Sequence, residues 1–125
     1  MIIDASALLA LLQGEPGSEQ VANALEQGLI SAANLSEVAT KLLPADVPDK
    51  EVVSILRSFN LDVVSVDEDT ALLAGALTKR TQQFGLSLGD RICLATAILR
   101  REPAITADTA WSKVQHDGLD VRVIR

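Results

Sequence analysis

Aromatic residues are nearly missing from this 125-residue chain, which has Phe59, Phe84 and Trp111 and no tyrosine. An aromatic platform on which the bases of a single strand stack is therefore not expected. There is one cysteine, which excludes an internal disulfide, and within Ile92-Cys93-Leu94-Ala95 it reads as a core residue. One cysteine and one histidine, His116, do not make a zinc cage. His116, beside Asp117-Gly118, reads as a surface loop residue. No apolar run is long enough to cross a bilayer, Ala5 to Leu12 being far too short. Met1-Ile2-Ile3-Asp4 carries an acid where a secretory leader needs a basic start. These absences lead to the expectation of a soluble, cytoplasmic protein without a membrane partner.

What is present is aliphatic. Apolar residues make up 48% of the sequence, dominated by Ala, Leu, Val and Ile, so a folded core is expected, with residues 1–125 forming one domain. Short apolar runs at Met1–Ile3, Leu29–Ala32, Leu61–Val66, Ala104–Ala107 and Val121–Ile124 read as strands. Helices are expected at Ala5–Leu12, Ser18–Gln27, Asn34–Leu43 (stopped by Pro44), Asp49–Ser58, Asp67 through Phe84, Gly89–Arg100 and Thr109–Gln115. The alternation predicts an α/β protein with a mostly parallel central sheet covered on both faces.

Net charge is −6, unevenly spread. Residues 1–78 hold 12 acids against 3 bases, whereas residues 79–125 hold 5 acids against 8 bases. Lys79, Arg80, Arg91, Arg100, Arg101, Lys113, Arg122 and Arg125 either form a phosphate-facing stripe or decorate solvated helix faces, and charge alone does not choose between the two.

Four acids stand where helices are expected to begin: Asp4, Glu37, Asp90 and Asp108. Helix N-termini favour carboxylates on their own account, so each has an ordinary capping role available. Asn34-Leu35-Ser36-Glu37 and Ser87-Leu88-Gly89-Asp90 both have the form of a capping box, and Asp67 is read mainly as a cap. In a parallel sheet, however, every strand end that feeds a helix lies on one edge, the edge where such sheets bind ligands. Four carboxylates gathered there repel by roughly 4 kcal/mol per close pair at an effective dielectric near 20. A hard divalent cation, Mg²⁺ or Mn²⁺, relieves that repulsion and points to metal-dependent chemistry on phosphates. Ser6, Asn34 and Thr106 lie close enough along the chain to orient these carboxylates or a bound water.

Met1-Ile2-Ile3-Asp4-Ala5-Ser6-Ala7-Leu8, Asn34-Leu35-Ser36-Glu37-Val38, Leu86-Ser87-Leu88-Gly89-Asp90-Arg91 and Thr106-Ala107-Asp108 together resemble a PIN domain. More narrowly, they are similar to the VapC toxin ribonucleases of bacterial toxin–antitoxin pairs. The resemblance spans essentially the whole chain and implies a three-layer α/β/α sandwich. It places the family's three nearly invariant acids on Asp4, Glu37 and Asp90, its variable fourth on Asp108, and a hydroxyl close to the metal on Ser6 or Thr106. It also implies Mg²⁺- or Mn²⁺-dependent hydrolysis of RNA to 5′-phosphate and 3′-hydroxyl ends, a homodimer, and inhibition by a cognate antitoxin that in some cases inserts an arginine among the acids. For the dimer, helices Ser18–Gln27 and Asp49–Ser58 carry Val21, Leu25, Val52, Val53 and Leu56, apolar positions beyond the obvious need of one core. Two other classes fit the residues less well. A phosphatase of the haloacid dehalogenase kind needs a second acid where Asp4-Ala5-Ser6 has a serine, and a non-catalytic PIN-like scaffold has no need of intact acids.

Overall fold

The computed structural model describes residues 1–42 and 46–125. Among them five short strands form one all-parallel sheet in the order β3-β2-β1-β4-β5: β1 (Ile2–Ile3), β2 (Leu29–Ser31), β3 (Asp62–Val64), β4 (Ala104–Thr106) and β5 (Val121–Val123). Helices α1 (Ala5–Leu12), α2 (Ser18–Ala24), α3 (Ala32–Leu42), α4 (Asp49–Ser58), α5 (Glu68–Ala76), α6 (Thr78–Thr81) and α7 (Leu88–Arg100) cover it.

The central strand shows how the layers form. Side chains alternate across a strand, so Ile2 and Ile3 point to opposite faces, and both are fully buried. Ile2 packs with Leu94, Ala97 and Trp111 under α7, while Ile3 packs with Ile30, Ile105, Leu8, Val21 and Val38 under α1 to α3. The result is an α/β/α sandwich with two cores, one on each side of the sheet.

α1 is built only of Ala, Ser and Leu, with Ala5, Ala7, Leu8, Leu9 and Ala10 buried, the pattern of a helix packed inside a core. Gly14, at φ 64°, turns the chain away after it. α7 opens with a complete capping box between Ser87 and Asp90 and buries Ile92 to Ala97.

Several sequence expectations shift. α3 begins at Ala32, because the Ser31 hydroxyl accepts the Asn34 amide and so takes the capping position; Asn34 and Glu37 lie inside the helix and are not its capping box. The expected stop at Pro44 lies outside the described residues. The segment from Asp67 to Phe84 is not continuous. Arg91 donates to the Ala74 carbonyl and the Thr78 hydroxyl, and the chain divides there into α5, α6 and a 3₁₀ turn at Gln82–Phe84. Leu25–Gln27 and Thr109–Lys113 are also 3₁₀ turns rather than α-helix. Among the apolar positions expected to be surplus, Val21 and Val52 are buried in the chain's own core and Leu25 and Leu56 pack against it; only Val53 is exposed. Among the described residues, no helix is long and apolar enough to cross a membrane.

Candidate functional site

The strand order reverses around β1. The chain moves from β1 out to β2 and β3, then returns beyond β1 to β4. The crevice outside the carboxyl ends of strands at such a reversal is where open parallel sheets bind ligands. Asp4 follows β1 there, and Thr106 ends the adjacent β4.

Asp4 is 2% exposed and caps α1 through the Ser6 amide. Its Oδ2 also accepts the Ser6 hydroxyl at 2.5 Å and the Thr106 hydroxyl at 2.9 Å. Each hydroxyl is in turn held by a backbone amide just past β4: Ser6 accepts from Ala107 at 3.0 Å, and Thr106 from Asp108 at 3.1 Å. Both hydroxyl protons are therefore directed onto one oxygen of Asp4. Burial nonetheless pushes the Asp4 carboxyl up to about 6; the Ser6 and Thr106 bonds oppose the rise, and the charges of Asp90 and Glu37 add to it.

Glu37 is placed by Asn34, whose fully buried amide is satisfied on every side. Nδ2 donates to Glu37 Oε1 at 2.7 Å and to the Gly89 carbonyl at 3.1 Å, while Oδ1 accepts the Ser31 hydroxyl. Asn34 thus bridges α3 to the first turn of α7, which carries Asp90. A Cβ at Gly89 would overlap the Glu37 carboxylate, so the absence of a side chain there leaves the space that this carboxylate occupies. Asp90 itself is held through Oδ2 by the Ser87 amide at 2.8 Å. The fields of Asp4, Asp90 and Glu37 converge on buried Cys93 behind them, whose thiol is pushed well above its ordinary value by burial first and then by these three charges.

Asp108 stands slightly apart. Its Oδ1 accepts the Ala110 amide at 2.9 Å, capping the 3₁₀ turn, and it lines a hollow of ≈ 390 Å³ with Ser6, Ala107, Thr109 and Arg125. Its link to the other acids is its backbone amide on Thr106.

The four carboxylates share a pattern. One oxygen of each is fixed by donors from the protein, and among the described residues no hydrogen-bond donor reaches the other. No lysine, arginine or histidine forms an ion pair with any of them among those residues. Nor do any three of them close into a metal cage there. Oxygen donors with one free lobe each, uncompensated charge and an open arrangement fit Mg²⁺ or Mn²⁺, which bind through a few carboxylates and retain water. Ser31, which bonds Asn34, and Gly89, which faces the Glu37 carboxylate, position candidate site residues and are missed by the sequence reading. Ser31-x-x-Asn34 has a cap's spacing, and a glycine in the first turn of an otherwise apolar helix is a local cost that calls for a packing reason.

Residues 1–117 match the PIN domain family. A VapC ribonuclease of Mycobacterium bovis and the ribonuclease VapC42 of Mycobacterium tuberculosis are each 32% identical to this chain over 116 residues, covering 84% of it and 88% of their own length. A toxin–antitoxin complex from Klebsiella pneumoniae contains a chain similar at a TM-score of 0.69 and 26% identity, with 94% of this chain and 93% of that one covered. A DNA-bound VapBC from Salmonella typhimurium reaches a TM-score of 0.74 at 14% identity, covering 99% and 97%, a likeness of fold. The order of the motifs, the sheet topology and the convergent acids agree with these matches, and the chain belongs to the PIN-domain family, in its VapC branch.

Proposed function

We propose that this protein is the endoribonuclease toxin of a toxin–antitoxin pair, a metal-dependent hydrolase that leaves 5′-phosphate and 3′-hydroxyl ends. The observation that carries the chemistry is the half-held state of the carboxylates, each with one oxygen fixed and one open. The relatives' names as ribonucleases, and the toxin–antitoxin complexes among similar structures, support the biological role.

Asp4, Glu37 and Asp90 would hold Mg²⁺ or Mn²⁺, with Asp108 at the margin. A cation held there would ease ionisation of an attacking water and offset charge on the phosphate and the leaving oxygen. The protein's own contribution is positional. Ser6 and Thr106 lock the Asp4 carboxylate in one orientation, Asn34 locks Glu37 against α7, and the capping box locks Asp90. Asp108, with one oxygen held by the Ala110 amide, lines the hollow beside Ser6 and would orient the attacking water there. Burial raises the Asp4 carboxyl to about 6, and a cation held beside it would favour its ionised form.

Residues 1–125 would act as one domain, a reading supported by the pairing of β5, beyond the matched segment, with β4. The protein works as a cytoplasmic homodimer on RNA and is silenced by a small cognate antitoxin whose arginine would enter the acidic pocket bidentately. Exposed Val53 and Ile55 on α4 are the apolar surface offered to a partner subunit.

The test is cleavage of a single-stranded RNA by purified protein. Activity should vanish in chelator, return with Mg²⁺ or Mn²⁺, and be lost in Asp90→Asn while the fold persists. The 5′ ends should be ligatable without a kinase. Undiminished cleavage in chelator overturns the mechanism. Equal growth arrest by wild type and Asp4→Asn overturns the link between toxicity and this site, and wild-type toxicity that no neighbouring reading frame relieves overturns the antitoxin assignment.

A further inference from the structure

The eight cations of the C-terminal segment fall into two groups. Four are engaged: Arg91 bonds the Ala74 carbonyl and Thr78, Arg100 pairs with Glu102, Arg122 with Asp120, and Arg125 with Glu15. Among the described residues Lys79, Arg80, Arg101 and Lys113 pair with no acid, and three of these, Lys79, Arg80 and Lys113, line one cleft of ≈ 740 Å³ together with Gln83, Phe84, His116 and a single acid, Asp117. In the sequence all eight look alike; the fold separates structural cations from available ones.

The walls of the cleft are tied to the segments that carry Asp90 and Asp108. Lys113 lies in the 3₁₀ turn that Asp108 caps. Lys79 and Arg80 lie on α6, which Arg91 ties through Thr78 to the first turn of α7, where Asp90 sits. The Gln82–Phe84 turn ends at Gly85, with φ 72°, and runs directly into Ser87 of the capping box. A polyanion approaching four carboxylates on a protein of net charge −6 is repelled unless an adjoining surface is positive. This cleft is such a surface.

We infer that the Lys79–Arg80–Lys113 cleft is a second binding site, which takes the phosphodiester backbone of the RNA strand flanking the bond to be cut. The inference rests on the ribonuclease reading and names where that enzyme grips its substrate. Flexible lysines supply point charges to phosphates without selecting a base, while Gln83 and Gln115 on the same walls supply further donors.

Steady-state cleavage of a single-stranded RNA, measured against salt with Mg²⁺ or Mn²⁺ present, tests it. The variant Lys79→Gln/Arg80→Gln/Lys113→Gln should raise KM about tenfold or more near physiological salt, leave kcat within about twofold, and flatten the slope of log(kcat/KM) against log[salt] by about 2, at about 0.7 per single-strand phosphate contact. Each single Gln substitution should flatten it by about 0.7, which keeps the test sound if the triple variant folds poorly. Neutralising Arg100 and Arg122, which are already paired, should leave the slope unchanged. A triple variant that melts like wild type with unchanged KM and slope overturns the inference and leaves the ribonuclease reading intact. Loss of inhibition by the antitoxin with KM unchanged also overturns it, because the cleft would then receive a protein. If the wild type cleaves no RNA, the ribonuclease reading fails and the inference falls with it.

Discussion

Asp4 heads α1 and Asp67 heads α5, each from an extended backbone and each accepting a backbone amide and a hydroxyl. Asp67 is exposed, and the Thr70 amide and then the Thr70 hydroxyl hold its carboxyl below the ordinary value. Asp4 has one hydroxyl more, from Thr106, yet its carboxyl rises to about 6. The two caps differ in what surrounds them. Asp4 is buried beside Asp90 and Glu37, so the cost of removing its charge from water and crowding it against two others exceeds the gain from three donors. The same hydrogen-bond pattern is a solvated helix start in one place and the centre of a charged site in the other.

The largest effect expected from breaking this comparison is on activity. Asp4→Asn should reduce RNA cleavage by roughly a hundredfold or more, since even the outer partners of a metal ligand are worth 10–100-fold. Asp67→Asn should cleave as wild type and show only a slight fall in Tm. Equal losses in the two variants would mean that the carboxylate at Asp4 matters as a cap and not as a ligand.

Stability reverses the ranking. With a folded pKa of about 6 against 3.8 unfolded, ionised Asp4 weakens the metal-free fold. The folded state holds more protons between those values, so this penalty is absent below pH 3.8, grows as pH rises, and is complete above about pH 6. A rise of that size corresponds to about 3 kcal/mol, an upper bound for what Asp4→Asn restores at about pH 7 to 8. Denaturant titrations in chelator should show the variant about 1–3 kcal/mol more stable there, with the gap closing toward about pH 4. Mg²⁺ or Mn²⁺ should raise the Tm of wild type and not that of the variant. Asp67 has the opposite sign: its contribution is present above the unfolded pKa and lost as pH falls through the lowered one. A variant no more stable than wild type at about pH 8 would show that Asp4 is not an electrostatic liability.

Much of this is legible in the sequence. The alternation of apolar runs and helical periods led directly to the parallel sheet, and the four motif blocks marked Asp4, Glu37, Asp90 and Asp108. What escaped was decided by contacts between segments distant in sequence. Thr106 lies two residues before Asp108, which made it look like that residue's neighbour, yet its hydroxyl donates to Asp4 on the next strand. Charge alone left Arg91 open between a phosphate-facing stripe and a solvated helix face, whereas its guanidinium is spent on Ala74 and Thr78 and divides a helix that periodicity ran together. Both Ser31 and Asn34 had cap chemistry, and the start of α3 at Ala32, with the Asn34 amide on the Ser31 hydroxyl, gives the cap to Ser31.

The finest form of the comparison uses two glycines. Gly75, near the end of α5, has nothing within 4 Å of where a Cβ would stand, whereas a Cβ on Gly89, in the first turn of α7, would meet the Glu37 carboxylate. Intrinsic propensity treats them alike: Gly→Ala inside a helix is favourable by about 0.5–1 kcal/mol. Gly75→Ala should therefore gain up to that amount and leave cleavage untouched. Gly89→Ala should forfeit the gain, because the methyl meets the Glu37 carboxylate and pushes it off its bond to Asn34 Nδ2. A displacement of about 1 Å at a reacting centre is worth up to a hundredfold, so a loss of about tenfold or more in kcat is expected with the fold retained. Gly89→Ser should behave like Gly89→Ala, since either side chain brings the same Cβ. If Gly89→Ala cleaves RNA like Gly75→Ala, then α7 has room to shift, and the close approach of Gly89 to Glu37 does not set the position of that carboxylate.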